Sequence, residues 1–219
     1  MQTLQIDIVS DVMCPWCIIG YKGLESALNQ LSDTVKAEIN WMPFELNPQM
    51  PKTGQNVREH IMEKYGITAE QSAQNREVMA QRGREVGFNL NFSDGMRMIN
   101  SFDLHRLLSW AKAHNKQHDL KMAFFKAHFT DNQPLNDNSV LLNVVEATGL
   151  DRSEAEAILN SDAYAEEVRE EESLSMERGI HSVPMFIING KYGINGGQPV
   201  DVFVGALQQI AGEISQAAK

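Results

Sequence analysis

Cys14-Pro15-Trp16-Cys17 joins a strand-like run to a helix-like one, and the chain has no other cysteine. A cysteine pair with no third partner is a candidate thiol–disulfide redox centre. Before it, Leu4-Gln5-Ile6-Asp7-Ile8-Val9 is short and β-branched, the pattern of a strand. Ser10-Asp11 breaks that run. Pro15 is preorganised for a first helical turn, and the helix continues through Ile18, Ile19, Leu24 and Leu28 to Leu31. The pair therefore falls where a strand turns into a helix. A helix N-terminus carries partial positive charge and free N–H groups, which favour a thiolate. Three blander readings compete. A structural disulfide here would close a tiny loop and remove little chain entropy. A zinc site needs about four ligands, and no histidine pair supplies close ligand spacing, so no metal is expected. Two inert buried thiols are the third. Redox chemistry explains the pairing best.

Composition narrows the partners. A length of 219 residues, 42% of them hydrophobic, suits one large domain or a domain with an insertion. A net charge of −10 argues against nucleic acid and anionic membrane surfaces. No stretch approaches the ~20 apolar residues of a membrane span. Met1 leads almost directly into the first strand, with no basic and then apolar leader, so the expected compartment is the cytoplasm. There a CxxC is more often catalytic than structural, because thiols are kept reduced.

Along the chain, strand 4–9, helix 15–31 and a strand near 36–46 make a right-handed βαβ unit with parallel strands. Pro43 marks the end or an edge of the second strand. From about 56 to 178 the pattern is helical. Asn56–Tyr65 closes at Gly66. Thr68 and Gln71 form a capping box for a helix reaching Val86. Further helices are predicted over Ser101–His114, His118–Phe129, Asn138–Thr148, Ser153–Leu159 and Asp162–Arg178, the last with a solvated acidic face of Glu166, Glu167, Glu170, Glu171 and Glu172. Met185–Ile188, the turn signal Asn189-Gly190 and Lys191–Asn195 read as a hairpin. A last helix follows Pro199.

This order resembles the thioredoxin fold, and its large helical insertion resembles the DsbA family. Five stretches carry a finer resemblance, to the FrnE-like dithiol–disulfide oxidoreductases: Ser10–Cys17, Pro43–Pro48, Asn100–Leu107, Val183-Pro184-Met185-Phe186 and Gly196-Gly197-Gln198-Pro199. The fold class expected is α/β, with a mixed central sheet (βαβ, then ββα). Residues 1–48 and 162–219 would form the thioredoxin-like domain, and 49–161 an all-helical insertion. The resemblance implies that Pro184 is a cis-proline facing the dithiol. Val183 would then expose backbone to an extended substrate. Relatives often carry a buried carboxylate six residues before the first cysteine, and here that position is Ile8. Asp7 and Asp11 lie nearby, and Asp11 opposes a thiolate at Cys14.

The expected activity is dithiol–disulfide exchange: reduction, oxidation or isomerisation through a mixed disulfide. Cys14 attacks and Cys17 resolves, while Pro15 and Trp16 tune the pair. His105 and Arg106, on an insertion helix, are further candidates, as is the loop residue His181. No cofactor is implied beyond the redox-active disulfide, with glutathione a candidate co-substrate. Partners would be proteins or small molecules bearing thiols or disulfides, and the chain a monomer or homodimer. Two other classes stay open. One is a glutathione-dependent isomerase of the chromene-carboxylate type, which usually has serine where Cys14 stands. The other is a chaperone-like binding module whose eleven methionines make an adaptable surface.

Overall fold

A computed structural model describes residues 1–217. Its organising strand is β1, Gln2–Ser10, which buries Leu4, Ile6 and Ile8 on alternate positions. The strand β2, Val35–Pro43, pairs with it in parallel, setting Ile8 opposite Trp41 and Ser10 opposite Pro43. Pro43 lacks the N–H that would continue the ladder, so Phe44-Glu45-Leu46 leave the sheet. The sequence pattern runs to about Leu46 with Pro43 marked as an end or edge, and the strand ends at Pro43.

Helix α1, Pro15–Gln30, links the two strands and buries Cys17, Ile18, Ile19, Tyr21, Leu24 and Ala27. The second half of the sheet comes from the far end of the chain. Strand β5, Met185–Ile188, runs antiparallel to β1, and β6, Tyr192–Asn195, runs antiparallel to β5, giving the sheet order β2-β1-β5-β6. (Strands β3 and β4, numbered in chain order, are the short pair in the insertion.) Asn189 and Gly190 both take positive φ in the hairpin turn, the conformation this dipeptide favours. Asn189 also bonds Gln5 in both directions, pinning the turn to β1.

The final helix, α9, Val200–Ala217, packs on α1. Phe203 meets Phe186 edge-on, with ring centroids 5.0 Å apart. The approach is close because Gly20 and Gly197 face each other: a Cβ on Gly20 would come within 3.1 Å of the Gly197 Cα.

Between β2 and β5 the chain is mostly helical. The elements are α2 (Val57–Tyr65), α3 (Ala69–Glu85), α4 (Phe102–Ala113), α5 (Gln117–Phe125), α6 (Asn138–Ala147), α7 (Arg152–Leu159) and α8 (Ala165–Glu177). The capping box at Thr68 and Gln71 is formed. Two features depart from the sequence reading. The insertion contains a small antiparallel pair, β3 (Gln55–Asn56) with β4 (Arg97–Met98). Two residues a side give no alternation to detect. The helix predicted over 118–129 also changes character at Lys126–Thr130, which form a π-helical turn.

Helices α5 and α8 lie against β2. This brings insertion side chains to the end of β1, where the CxxC loop begins. Arg106 fixes the junction of α7 and α8. It is buried and donates to the carbonyls of Ile158, Ser161 and Ala163, and to Asp103. The acidic face of α8 is only partly solvated, since Glu171 and Glu172 are half-buried.

Candidate active site

Asp11 turns the chain from β1 into α1. Its side chain is buried; Oδ1 accepts from the Met13 N–H at 3.1 Å and Oδ2 from the Leu46 N–H at 2.7 Å. His105 Nε2 donates to the Phe44 carbonyl at 3.0 Å and lies 3.6 Å from Asp11 Oδ1. One carboxylate thus ties the CxxC loop, the segment after β2 and helix α4 together. Burial pushes the Asp11 pKa up, but His105 and the two backbone N–H groups outweigh it and hold the group below its ordinary value. His105, a candidate from the sequence, thus meets Asp11 and the segment after β2.

Cys14 is the N-cap of α1, and Pro15 takes the first helical position. The two thiols are unbonded. Cys14 is 5% exposed and Cys17 is fully buried, so an incoming group meets Cys14 first. The Val183–Pro184 peptide is cis. The Cys14 thiol points at the Val183 carbonyl, with Sγ 3.8 Å from the oxygen. Trp16 is 36% exposed beside the pair. Gly197 lies under it, where a Cβ would come within 3.2 Å of the indole.

Burial alone would raise both thiol pKa values, and the surroundings then split them. Cys14 is pushed well up, by its hydrogen bond to Cys17, by burial and by the charges of Cys17 and Asp11. Burial also works against a Cys17 thiolate, but the neighbouring Cys14 thiol and the charge of Lys121 overcome it and draw Cys17 down. The sequence reading gives the lower pKa to Cys14, from the helix end. The structure puts the stabilising groups at Cys17. The dithiol is a coupled pair in which the first proton leaves easily and the second with difficulty.

The residue that sequence reasoning missed is Lys121. It projects from α5, is 1% exposed, and donates to the Ser10 carbonyl at 3.2 Å. Its ammonium lies over the rings of Trp41 and Phe125, 5.3 and 5.1 Å from their centroids. A signal was present: Lys121 precedes Phe124 and Phe125 by three and four residues, on the apolar stripe of its helix.

A cavity of about 870 Å³ opens onto Cys14. Its walls are largely apolar, with Met13, Phe44, Met79, Met98 and Phe129 among them; His181 and Val183 line it too. His128, from the π-helical turn, is a buried polar member of the wall. Burial pushes its pKa down to about 4, so it is neutral at pH 7. A volume of this size suits a small molecule or a few residues of an extended peptide. Arg106, by contrast, serves the α7–α8 junction described above.

Comparison with known proteins agrees with this architecture. A family model described as a DSBA-like thioredoxin domain matches residues 5–208. The crystal structure of a "probable DsbA oxidoreductase" from Streptomyces coelicolor is 34% identical, covers 96% of this chain and 91% of that one, and superposes with a TM-score of 0.90. YwbO, an uncharacterised protein of Bacillus subtilis, is 28% identical over 206 residues, which is 94% of this chain and 96% of its own. The cytosolic disulfide reductase DsbM of Pseudomonas aeruginosa shares the fold at 15% identity, with a TM-score of 0.61 over 94% of this chain and 98% of its own. By sequence and by fold, this chain belongs to the DsbA-like thioredoxin-domain family.

Proposed function

We propose that the protein exchanges disulfides through Cys14, with Cys17 as the resolving thiol. One observation carries this reading. A paired dithiol sits at a helix start with only its first sulfur open to a substrate-sized cavity, and that sulfur lies beside the Val183 carbonyl. The dithiol passes its charge between the sulfurs. Proton transfer from Cys14 to a Cys17 thiolate yields a Cys14 thiolate facing the cavity. That thiolate attacks a substrate disulfide, forms the mixed disulfide and expels one substrate thiolate. Cys17, as thiolate, then attacks Cys14 Sγ, expels the second substrate thiolate and leaves the Cys14–Cys17 disulfide. Two protein thiols are oxidised and one substrate disulfide is reduced; the reverse sequence oxidises a substrate dithiol.

In this reading residues 1–48 and 162–219 carry the dithiol, and 49–161 roof the cavity. Pro15, Trp16 and Pro184 shape the entrance. The apolar walls favour a cysteine flanked by apolar groups, on a protein or a small molecule. No cofactor beyond the dithiol is needed. Glutathione is the co-substrate we assign, in line with DsbM, which has been solved with GSH, and the cytoplasm is the compartment. A serine at position 14 would have favoured isomerase chemistry on glutathione; the cysteine there favours exchange.

Insulin reduction with dithiothreitol as electron source tests the roles. Cys14→Ser should abolish turnover. Cys17→Ser should accumulate a mixed disulfide, seen as an adduct by mass spectrometry under non-reducing conditions. Normal turnover by Cys14→Ser would overturn the assignment.

A further inference from the structure

The cavity over Cys14 has a cationic side that disulfide exchange alone does not explain. Helix α2 lines it with Val57, His60, Ile61 and Lys64, and α3 with Ser72, Asn75, Arg76 and Met79. Both sets are spaced i, i+3, i+4 and i+7, which is one face of a helix. Each face carries one permanent cation. Lys64 is exposed but held in place: its ammonium donates to the Leu46 carbonyl at 3.0 Å and to Asn47 Oδ1 at 2.7 Å. Leu46 in turn donates to Asp11, at the base of the CxxC loop. Both acceptors of Lys64 are neutral. An ammonium has three donors, so one N–H and the whole charge are left. Arg76 is half-buried. Among the described residues no acceptor engages its guanidinium, and its neighbour Glu77 is taken by Arg84 at 2.9 Å.

The other groups on the wall do not cancel this charge. Glu45 is the one carboxylate that lines the cavity, and Arg169 pairs with it. His128 is neutral, as described above. Burial and the charge of Lys64 hold the His60 pKa below its ordinary value, so His60 is neutral at pH 7 as well. His181 stands exposed on the rim. In a chain of net charge −10, two cations without acidic partners thus line one largely apolar cavity. Such an arrangement is complementary to an anion.

We propose that the exchange substrate is a small disulfide with an apolar body ending in a carboxylate, and that Lys64 and Arg76 bind the carboxylate. This rests on the exchange reading and names the substrate class for it. The apolar walls take the body of the molecule. The carboxylate meets Lys64 where the cavity opens to solvent, so it keeps part of its hydration. The walls come from the CxxC loop, the segment after β2, α2, α3, β4, the π-helical turn and the cis-proline loop. They surround a ligand on several sides, which suits a small molecule better than a loop of a folded protein. The chemistry is unchanged: a bond forms between Cys14 Sγ and one substrate sulfur, the substrate S–S bond breaks, and one substrate thiolate leaves. The anion site moves no electron and no proton.

Two experiments test this. In the first, dithiodihexanoate and its diamide, matched in chain and in thiol, oxidise the reduced protein. The acid should react about tenfold or more faster than the diamide, and added salt should shrink that ratio. Lys64→Gln combined with Arg76→Gln should bring the ratio to about one, while Arg76→Lys keeps most of it. A ratio taken within one variant cancels any general loss of folding or thiol reactivity. Equal rates in the unmodified protein, or a preference that the double variant leaves intact, would overturn the proposal. So would insulin reacting faster than either small disulfide and being slowed by the double variant, since the cations would then serve a protein. The second experiment uses octanoate and octanamide, which carry no sulfur. Calorimetry should show octanoate binding about tenfold or more tighter, with the difference lost in the double variant. If the protein reacts with neither disulfide yet binds octanoate in this way, the exchange reading fails and the anion site stands. Equal binding of octanoate and octanamide would remove the anion site whatever the exchange rate.

Discussion

Asp11 does two opposed things at one position. Its carboxylate accepts from Met13 and Leu46, with His105 3.6 Å away, and so builds the loop, while its charge raises the Cys14 pKa. Asp11→Asn should separate these effects. An amide cannot accept at both oxygens, and one N–H₂ would face the Leu46 N–H. Losing a buried, charge-assisted acceptor costs about 2 kcal/mol, read as a lower urea midpoint with an unchanged slope. At the same time Cys14 should become easier to ionise, seen as thiolate absorbance at lower pH. A rise in both stability and thiol pKa would contradict this account. The residues themselves were largely legible in the sequence. Cys14 and Val183 line the cavity, Cys17 is buried one helical turn on, and the Val183–Pro184 bond is cis. Lys121 was missed because a lysine on an apolar stripe reads as a snorkelling surface residue, and only tertiary packing with Trp41, Phe125 and Ser10 removes its access to water.

At the scale of elements, the capped helices and the hairpin turn were readable because their signals are local. Thr68 with Gln71 and Asn189 with Gly190 need no partner elsewhere in the chain. The π-helical turn at Lys126–Thr130 was not readable, since its residues differ in no way from a normal helix. Such turns often mark functional positions, and this one aims His128 into the cavity. His128 stays neutral when folded, with its pKa near 4 against an ordinary value of 6.5. The unfolded chain therefore binds the extra proton between those two values, and stability falls as pH drops from 6.5 toward 4. At about 1.4 kcal/mol per pH unit the loss approaches about 3 kcal/mol. His128→Phe should remove most of this dependence. Urea unfolding at pH 6.5 and 4.5 checks it, and parallel losses in the two proteins would show that His128 is not the group responsible.

The whole molecule makes its site from distant parts of the chain. Cys14 and Val183 are 169 residues apart in sequence, and the Lys121–Ser10 contact spans 111. No local pattern encodes these meetings; they follow from β5 pairing with β1 and from α5 lying against β2. That explains why the sequence points to candidate residues but not to how charge is shared among them. The cavity, too, exists only once the insertion has folded over the loop. The central claim is that Cys14 and Cys17 form a reversible redox couple, and equilibrium with glutathione tests it most directly. The protein is incubated across a series of reduced-to-oxidised glutathione ratios, quenched in acid and weighed intact. The account predicts a single two-electron transition between dithiol and Cys14–Cys17 disulfide, with a potential between about −270 and −120 mV, the range this fold spans. A dithiol that stays reduced at every ratio, or a stable glutathione adduct on Cys14 that Cys17 never displaces, would contradict it.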